Sequence, residues 1–215
     1  MPVDPLSRKL CHITHIRNLS GIISEGCLWS HRESIRRELT IRDIGRLDLK
    51  RERDTVPVVR GPGGMIGDYV PFFFCPRPVM LLLLATGRVE GYSEGEEPIV
   101  HLISDIGNVV RSKQPFVFTD GHAVKKLSNQ YMDLYDLNRL DWAVIRDHQW
   151  ADTVEDNDRM RRKQAEFLVY ERLPWDCISA IGVRSERMEE EVHNVLANAQ
   201  HRPEIVLKPS WYYNK

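Results

Sequence analysis

The chain has 215 residues, 42% of them hydrophobic and 28% charged, which is enough to bury a sizeable core and lies within the range of one large domain. A formal net charge of −1 excludes a global attraction to nucleic acid or to an anionic membrane, so any polyanion must be met by a local patch. The four cysteines, Cys11, Cys27, Cys75 and Cys177, form no Cys-x-x-Cys pair and have no close ligand partner, which fits free thiols in a reducing cytosol rather than a metal centre.

The opening Met-Pro-Val-Asp-Pro-Leu-Ser-Arg lacks the basic start and apolar stretch of a secretory signal, so export is not expected. Leu10 to Thr14 reads as a short strand. Ile16, Leu19, Ile22 and Ile23 then recur at helical spacing as far as Gly26, a suitable stop, and Thr14 or a neighbour could cap the helix. Ser34 to Val59 is charge-rich and without clean periodicity, a long functional loop with helical turns that leads into the Gly61-Pro-Gly-Gly64 turn.

Tyr69 to Phe74 is extended in character, but Pro71 argues against a central strand. Pro78 to Gly87 fits a short buried helix. Its apolar run, Val79 to Ala85, is far below the roughly 20 residues that span a bilayer, so a soluble, cytoplasmic protein is expected. Strands follow at Ile99 to Ile103 and Phe116 to Phe118, with a helix over Asp105 to Lys113 between them.

Asp120 to Asn157 is long and irregular, yet Tyr131, Tyr135, Trp142 and Trp150 argue for order. Strands return at Ala165 to Tyr170 and Ile178 to Val183. Glu186 to Ala199 places Met188, Val192, Val195 and Leu196 on one helical face, and Glu204 to Leu207 fits a last strand. No repeat or linker divides the chain, so residues 1–215 read as a single α+β domain.

Four sites could carry chemistry. In Cys11-His-Ile-Thr-His15, His12 and Thr14 project to one face of a strand and could bind a ligand together, although such residues also satisfy a protein's own backbone. Gly21, on the helix that follows, could admit a close polar group. Glu166 opens an apolar strand on the face opposite Phe167 and Val169. A carboxylate there is costly unless paired or at work, and the cations Arg159, Arg161, Arg162 and Lys163 offer the pairing alternative.

Lys50-Arg-Glu-Arg53 supplies forked donors suited to phosphate, or else a solvated charge cluster. Asp68 to Arg77 and Phe116 to His122 bring aromatics that could wall a pocket or stack on bases, with core packing as the default for Phe72 to Phe74.

In order along the chain, His12-Ile-Thr-His-Ile-Arg-Asn-Leu, Gly67-Asp-Tyr-Val-Pro-Phe-Phe-Phe-Cys-Pro-Arg, Phe116-Val-Phe-Thr-Asp-Gly-His and Arg162-Lys-Gln-Ala-Glu-Phe-Leu-Val resemble the DarT family, the toxin half of DarT–DarG toxin–antitoxin systems. That resemblance implies an ADP-ribosyltransferase (PARP-like) fold: a split β-sandwich core with peripheral helices and a long substrate-recognition loop. It implies NAD⁺ as co-substrate with no metal, thymidine in single-stranded DNA as acceptor, and a DarG-type macrodomain antitoxin as partner, with no membrane. His12, Ile13, Thr14, Gly21, Leu28 and Arg51 would bind NAD⁺, residues 34–53 would cover it, and residues 119–166 would read the substrate.

Glu166 maps onto the family's catalytic glutamate, and Arg51 is the best match to its catalytic arginine. The family pattern there has paired arginines where this chain reads Lys50-Arg-Glu-Arg53, which leaves Arg53 as the alternative. Phe73 stands where a tyrosine is expected, and Pro78 where a serine is common. The expected DNA contacts are Tyr69, Arg77, His122, Tyr131 and Trp150, with Arg159 and Arg162 on phosphates. A transferase of the same fold acting on RNA or protein, and a silent nucleic-acid-binding module, are the rival readings; a metal-dependent nuclease is disfavoured by the absence of a ligand-spaced histidine cluster.

Overall fold

The computed structural model describes residues 4–39 and 41–214. Met1 to Val3, which open the segment read above for export, and Thr40, within the expected covering element, lie outside them. The strands are β1 (Lys9–His15), β2 (Cys27–Trp29), β3 (Tyr69–Phe73), β4 (Ile99–Asp105), β5 (Phe116–Thr119), β6 (Gln130–Tyr131), β7 (Glu166–Tyr170), β8 (Arg172–Pro174), β9 (Ala180–Val183) and β10 (Glu204–Leu207). The helices are α1 (Leu19–Glu25), α2 (His31–Arg36), α3 (Leu47–Arg53), α4 (Val79–Ala85), α5 (Ile106–Arg111), α6 (Trp142–Arg146), α7 (Arg159–Lys163) and α8 (Glu186–Leu196).

Local chemistry accounts for most boundaries. Gly26 ends α1 in the left-handed region at φ 65°, and its N–H donates to the Ile23 carbonyl. Asp105 caps α5 by accepting from the Asn108 N–H at 2.8 Å, and Ser185 caps α8. His15, the neighbour of Thr14, caps the short helical turn Ile16–Asn18 that leads into α1: its Nδ1 accepts from the Arg17 N–H at 3.1 Å.

The large sheet runs β10-β9-β4-β1-β3-β7-β5-β6, and β2 pairs with β8 in a separate ribbon. Pairing of β1 with β4 is continuous from Lys9↔Asp105 to His15↔Ile99, whereas β1 meets β3 at a single register pair, Cys11↔Phe73. The sheet is therefore split between β1 and β3, as the resemblance implied. Pro71 corrects the sequence reading, because β3 is internal. A strand residue turns its nitrogen and carbonyl to the same side, and the Pro71 carbonyl faces β1, where it accepts from the His12 ring at 2.8 Å. The missing N–H thus falls on the split, and the β3–β7 ladder from Tyr69↔Tyr170 to Phe73↔Glu166 is kept.

Three apolar clusters fill the fold. The largest joins Leu10, Phe72, Phe118, Phe167 and Ile181 to Met188, Val192 and Leu196 of α8. A second packs Cys11 and Ile13 against Leu81 and Leu84 of α4, and a third gathers Val58, Ile66, Tyr69, Val117 and Leu168.

His101, fully buried on β4, sets a pH dependence. Its Nε2–H donates to the Pro76 carbonyl at 2.8 Å, and burial pushes its pKa down to about 4 from an ordinary 6.5, against the opposing pull of that carbonyl. The unfolded chain takes up the proton first, so this group makes stability fall as pH drops from about 6.5 to about 4. Urea unfolding across that window should show a shallower slope of stability against pH for His101→Asn than for wild type; identical slopes would remove His101 from the account.

Candidate active site

Glu166 opens β7 at the end of the register row Cys11–Phe73–Glu166, so the one position that joins the two half-sheets leads to its carboxylate. The residue is 1% exposed. Its backbone N–H donates to Thr119 Oγ1 at 3.2 Å. Oε1 accepts the Ala123 N–H at 3.0 Å, and Oε2 accepts from Arg53 Nη1 at 2.8 Å. His122 Nδ1 lies 3.8 Å from Oε1.

Burial alone would raise this carboxyl, but Arg53, His122 and the Ala123 N–H together outweigh it and hold Glu166 below its ordinary value. The site therefore keeps an anion behind a wall that excludes water. Burial in turn lowers the His122 pKa, against the pull of Glu166. Arg53 Nη2 is buried and has no hydrogen-bond partner among the described residues, so one forked donor beside the carboxylate is available to a substrate oxygen.

His12 stands across the split. Its ring packs on Phe72 at 5.6 Å between centroids and donates through Nδ1 to Pro71, while burial pushes its pKa down to about 4. The neutral ring then keeps Nε2 as an acceptor. Ile13 and Leu28 turn their side chains into the core, which leaves their backbones for any ligand. Thr14 is buried and accepts from Asn18 Nδ2 at 3.0 Å. A Cβ at Gly21 would meet nothing within 4 Å, so the space beside this turn of α1 is open.

Sequence reading missed Asn18 and Arg42. Asn18 accepts the Arg42 N–H through Oδ1 at 2.7 Å and donates to the Arg42 carbonyl at 3.0 Å, fastening the 34–53 segment to the end of β1. Arg42 then reaches Glu94 at 2.9 and 2.6 Å, and Glu94 also meets His15. An asparagine three residues beyond a strand carries no periodic signal; only its place in the Thr-His-Ile-Arg-Asn run could have pointed to it.

The arginine pair separates. Arg53 faces Glu166, whereas Arg51 is exposed on the same helix. Among the expected DNA contacts, Tyr69 is corrected: its ring is 1% exposed, packs on Tyr170, and its hydroxyl donates to the Gly63 carbonyl at 2.6 Å, so it has no face for a base. Arg77 reaches His148 at 3.1 Å and lies 4.3 Å over the Tyr213 ring. Tyr131 stacks on Phe118, and its hydroxyl donates to Asp120 at 3.2 Å; Trp150 is half-buried.

Tyr131 also lines a groove of about 650 Å³ with Arg60, Gln130 and Arg139. Arg159 pairs with Asp147 and Asp156, and Arg162 with Asp141 and Asp156, so the cations expected on phosphates already have carboxylate partners within the chain. Among the described residues no group of three or more His, Cys, Asp or Glu is placed to hold a metal ion.

The geometry has close counterparts. A family model described as "ssDNA thymidine ADP-ribosyltransferase, DarT" matches residues 11–213. A DNA ADP-ribosyl transferase of Thermus sp. (strain 2.9) is 40% identical over 211 residues, covering 97% of this chain and 98% of that protein. The structure of Thermus sp. 2.9 DarT in complex with ADP-ribosylated ssDNA superposes with a TM-score of 0.89 at 40% identity, over 96% of each chain. Its complex with NAD⁺ gives 0.85 at the same identity, over 96% of this chain and 98% of that one.

Proposed function

Because this chain belongs to the DarT family of single-stranded-DNA thymidine ADP-ribosyltransferases, we propose that Glu166 is the carboxylate on which its reaction turns. The enzyme transfers ADP-ribose from NAD⁺ to thymidine in single-stranded DNA, with NAD⁺ as co-substrate. The carrying observation is the Glu166 carboxyl group, 1% exposed and held by Arg53 and the Ala123 N–H beside the split in the sheet.

Breaking the bond between nicotinamide and ribose builds positive charge on the sugar, and nicotinamide leaves neutral with the electron pair. A preoriented anion in a dry wall favours that transition state over the ground state. Glu166 supplies it, accepting from a ribose hydroxyl while the opposite face of the sugar stays open to attack. Arg53 keeps the carboxylate ionised and fixes its orientation. His12, held neutral, offers an acceptor to the dinucleotide, with Thr14, Gly21 and the backbones of Ile13 and Leu28 lining its path. Residues 34–53 cover NAD⁺ within a single 1–215 domain, with Asn18 fastening that cover.

As the new bond to the ribose carbon forms, the acceptor ring nitrogen of thymine must lose its proton, which passes to solvent water. The resemblance assigns the activation of thymine to Arg51, and the role that suits a guanidinium there is to stabilise the developing thymine anion with its forked positive charge. Residues 119–166 read the strand, with Arg77, His122, Tyr131 and Trp150 as contacts. A base in a duplex hides the reacting edge, which is why the substrate is single-stranded.

Among the described residues no helix is long and apolar enough to cross a membrane. An enzyme that marks DNA acts in the cytoplasm of a bacterial cell, where it blocks replication as a toxin and is countered by a DarG-type macrodomain antitoxin that removes the adduct; family kinship supports this reading. The test is incubation with NAD⁺ and matched single-stranded, duplex and RNA oligonucleotides, following nicotinamide release and the mass gained on each. ADP-ribose on thymidine of the single strands is expected. Mass gain confined to protein or RNA would overturn the acceptor.

A further inference from the structure

Lys163 is only 6% exposed, and among the described residues its ammonium is hydrogen-bonded to backbone carbonyls rather than to a carboxylate. It donates to three of them at the C-terminal end of α6, those of Val144, Ile145 and Asp147, of which the first also accepts the Asp147 N–H. Three donors meet three acceptors, and a positive charge at that end of a helix is favourable. The neighbouring cations work on the same loop from outside. Arg159 holds Asp147 and donates to the Gln149 carbonyl, Arg162 holds Asp141, and Arg161 holds Asp120 and Asp158.

The backbone of α7 points the other way, toward Glu166. The Arg161 carbonyl accepts the N–H of His122, and the N–H of the next residue, Ala123, is the one that binds Glu166 Oε1. Glu166 itself stands three residues beyond Lys163.

We propose that Lys163 is a positioning residue for the DNA acceptor, fastening the 141–148 part of the reading loop to the segment that carries Glu166. The inference rests on the reading of residues 119–166 as the substrate loop. Buried, with every donor engaged, Lys163 cannot reach a phosphate; it acts through the place it gives the loop. Losing it frees the C-terminal end of α6 and shifts the surface that receives the strand, while the NAD⁺ side, built from β1, α1 and α3, is untouched.

The experiment is steady-state transfer with a thymidine oligonucleotide varied at saturating NAD⁺, then the reverse, for wild type and Lys163→Met, with hydrogen exchange over residues 142–150. The displaced loop surface loses contacts to the strand that are made equally before and during transfer, so the oligonucleotide KM should rise about tenfold or more and exchange over 142–150 should quicken. The NAD⁺ KM and the kcat at saturating DNA should stay within about twofold, the pattern of lost acceptor binding alone. Lys163→Arg, which keeps the charge, should recover part of the loss.

An unchanged oligonucleotide KM, or an equal loss on the NAD⁺ side, overturns the inference. Wild-type protein that modifies no thymidine oligonucleotide overturns the reading of function instead. Should Lys163→Met fail to fold, Arg159→Gln carries the test, since it releases Asp147 and Gln149 from outside. A raised oligonucleotide KM at an unchanged salt slope supports the clamp. An unchanged KM, or a slope reduced by about one, the mark of a lost phosphate contact, overturns it.

Discussion

Glu166→Gln should reduce ADP-ribosyl transfer on the order of 10³-fold while leaving the NAD⁺ dissociation constant within a few-fold of wild type, because it removes charge that acts chiefly on the transition state. Glutamine is the cleaner variant. Alanine would leave the Arg53 guanidinium, only 14% exposed in its side chain, facing an empty space. Glutamine keeps the volume but has one acceptor oxygen where the site presents two donors, Arg53 Nη1 and the Ala123 N–H, so its amide nitrogen meets a donor in either orientation. The resulting loss of stability, about 1–3 kcal/mol, should appear in urea unfolding and be separable from the kinetic defect. Single-turnover transfer beside calorimetric NAD⁺ binding checks both. Activity within tenfold of wild type would show that the charge stabilisation comes from elsewhere.

Arg53→Ala is expected to have the second largest effect, roughly 10²-fold on transfer at neutral pH, together with a displaced pH profile. In wild type, burial would raise the Glu166 carboxyl, and Arg53 is the largest of the causes that hold it below its ordinary 4.5. The anion therefore persists below that value, and the stability contributed by its depressed pKa is full above 4.5 and lost as pH falls through the folded value. Without Arg53, burial dominates and the folded pKa moves upward, so the acid limb of kcat should shift toward neutrality. Arg51→Ala should also slow transfer but leave the acid limb in place, since Arg51 is exposed and makes no contact with Glu166. Equal displacement of the limb in both variants, or in neither, would undo the division of labour between the two arginines.

That division was out of reach of the sequence for a geometric reason. Residues 51 and 53 are two positions apart, so on α3 their side chains diverge by roughly 200° and only one can face β7. The stretch around them has no apolar stripe to set its phase, and Lys-Arg-Glu-Arg offers two cations of equal chemistry. The basic run from Arg159 to Lys163 poses a similar problem. Sequence displays the cations and the acids Asp120, Asp141, Asp147, Asp156 and Asp158, but not that the two sets meet. The β2–β8 ribbon escaped notice because its strands are three residues each and lie far apart in the chain. Tyr69 faces the core, and its sequence context does not reveal this, because an aromatic beside a glycine-rich turn reads alike whether its ring faces solvent or the interior.

Sequence alone determined the order and type of most elements and the α+β class, because these follow from period and capping residues; it offered His12 and Glu166 as candidates, and only the family resemblance gave them roles. Tertiary structure decided which arginine meets the carboxylate, which cations are already paired, and how an internal strand tolerates Pro71. The physical reason is range. Periodicity and caps act within a few residues, whereas the Arg53–Glu166 pair closes over 113 residues and the Pro71–His12 bond over 59, and charges so far apart in sequence acquire partners only when the chain is folded.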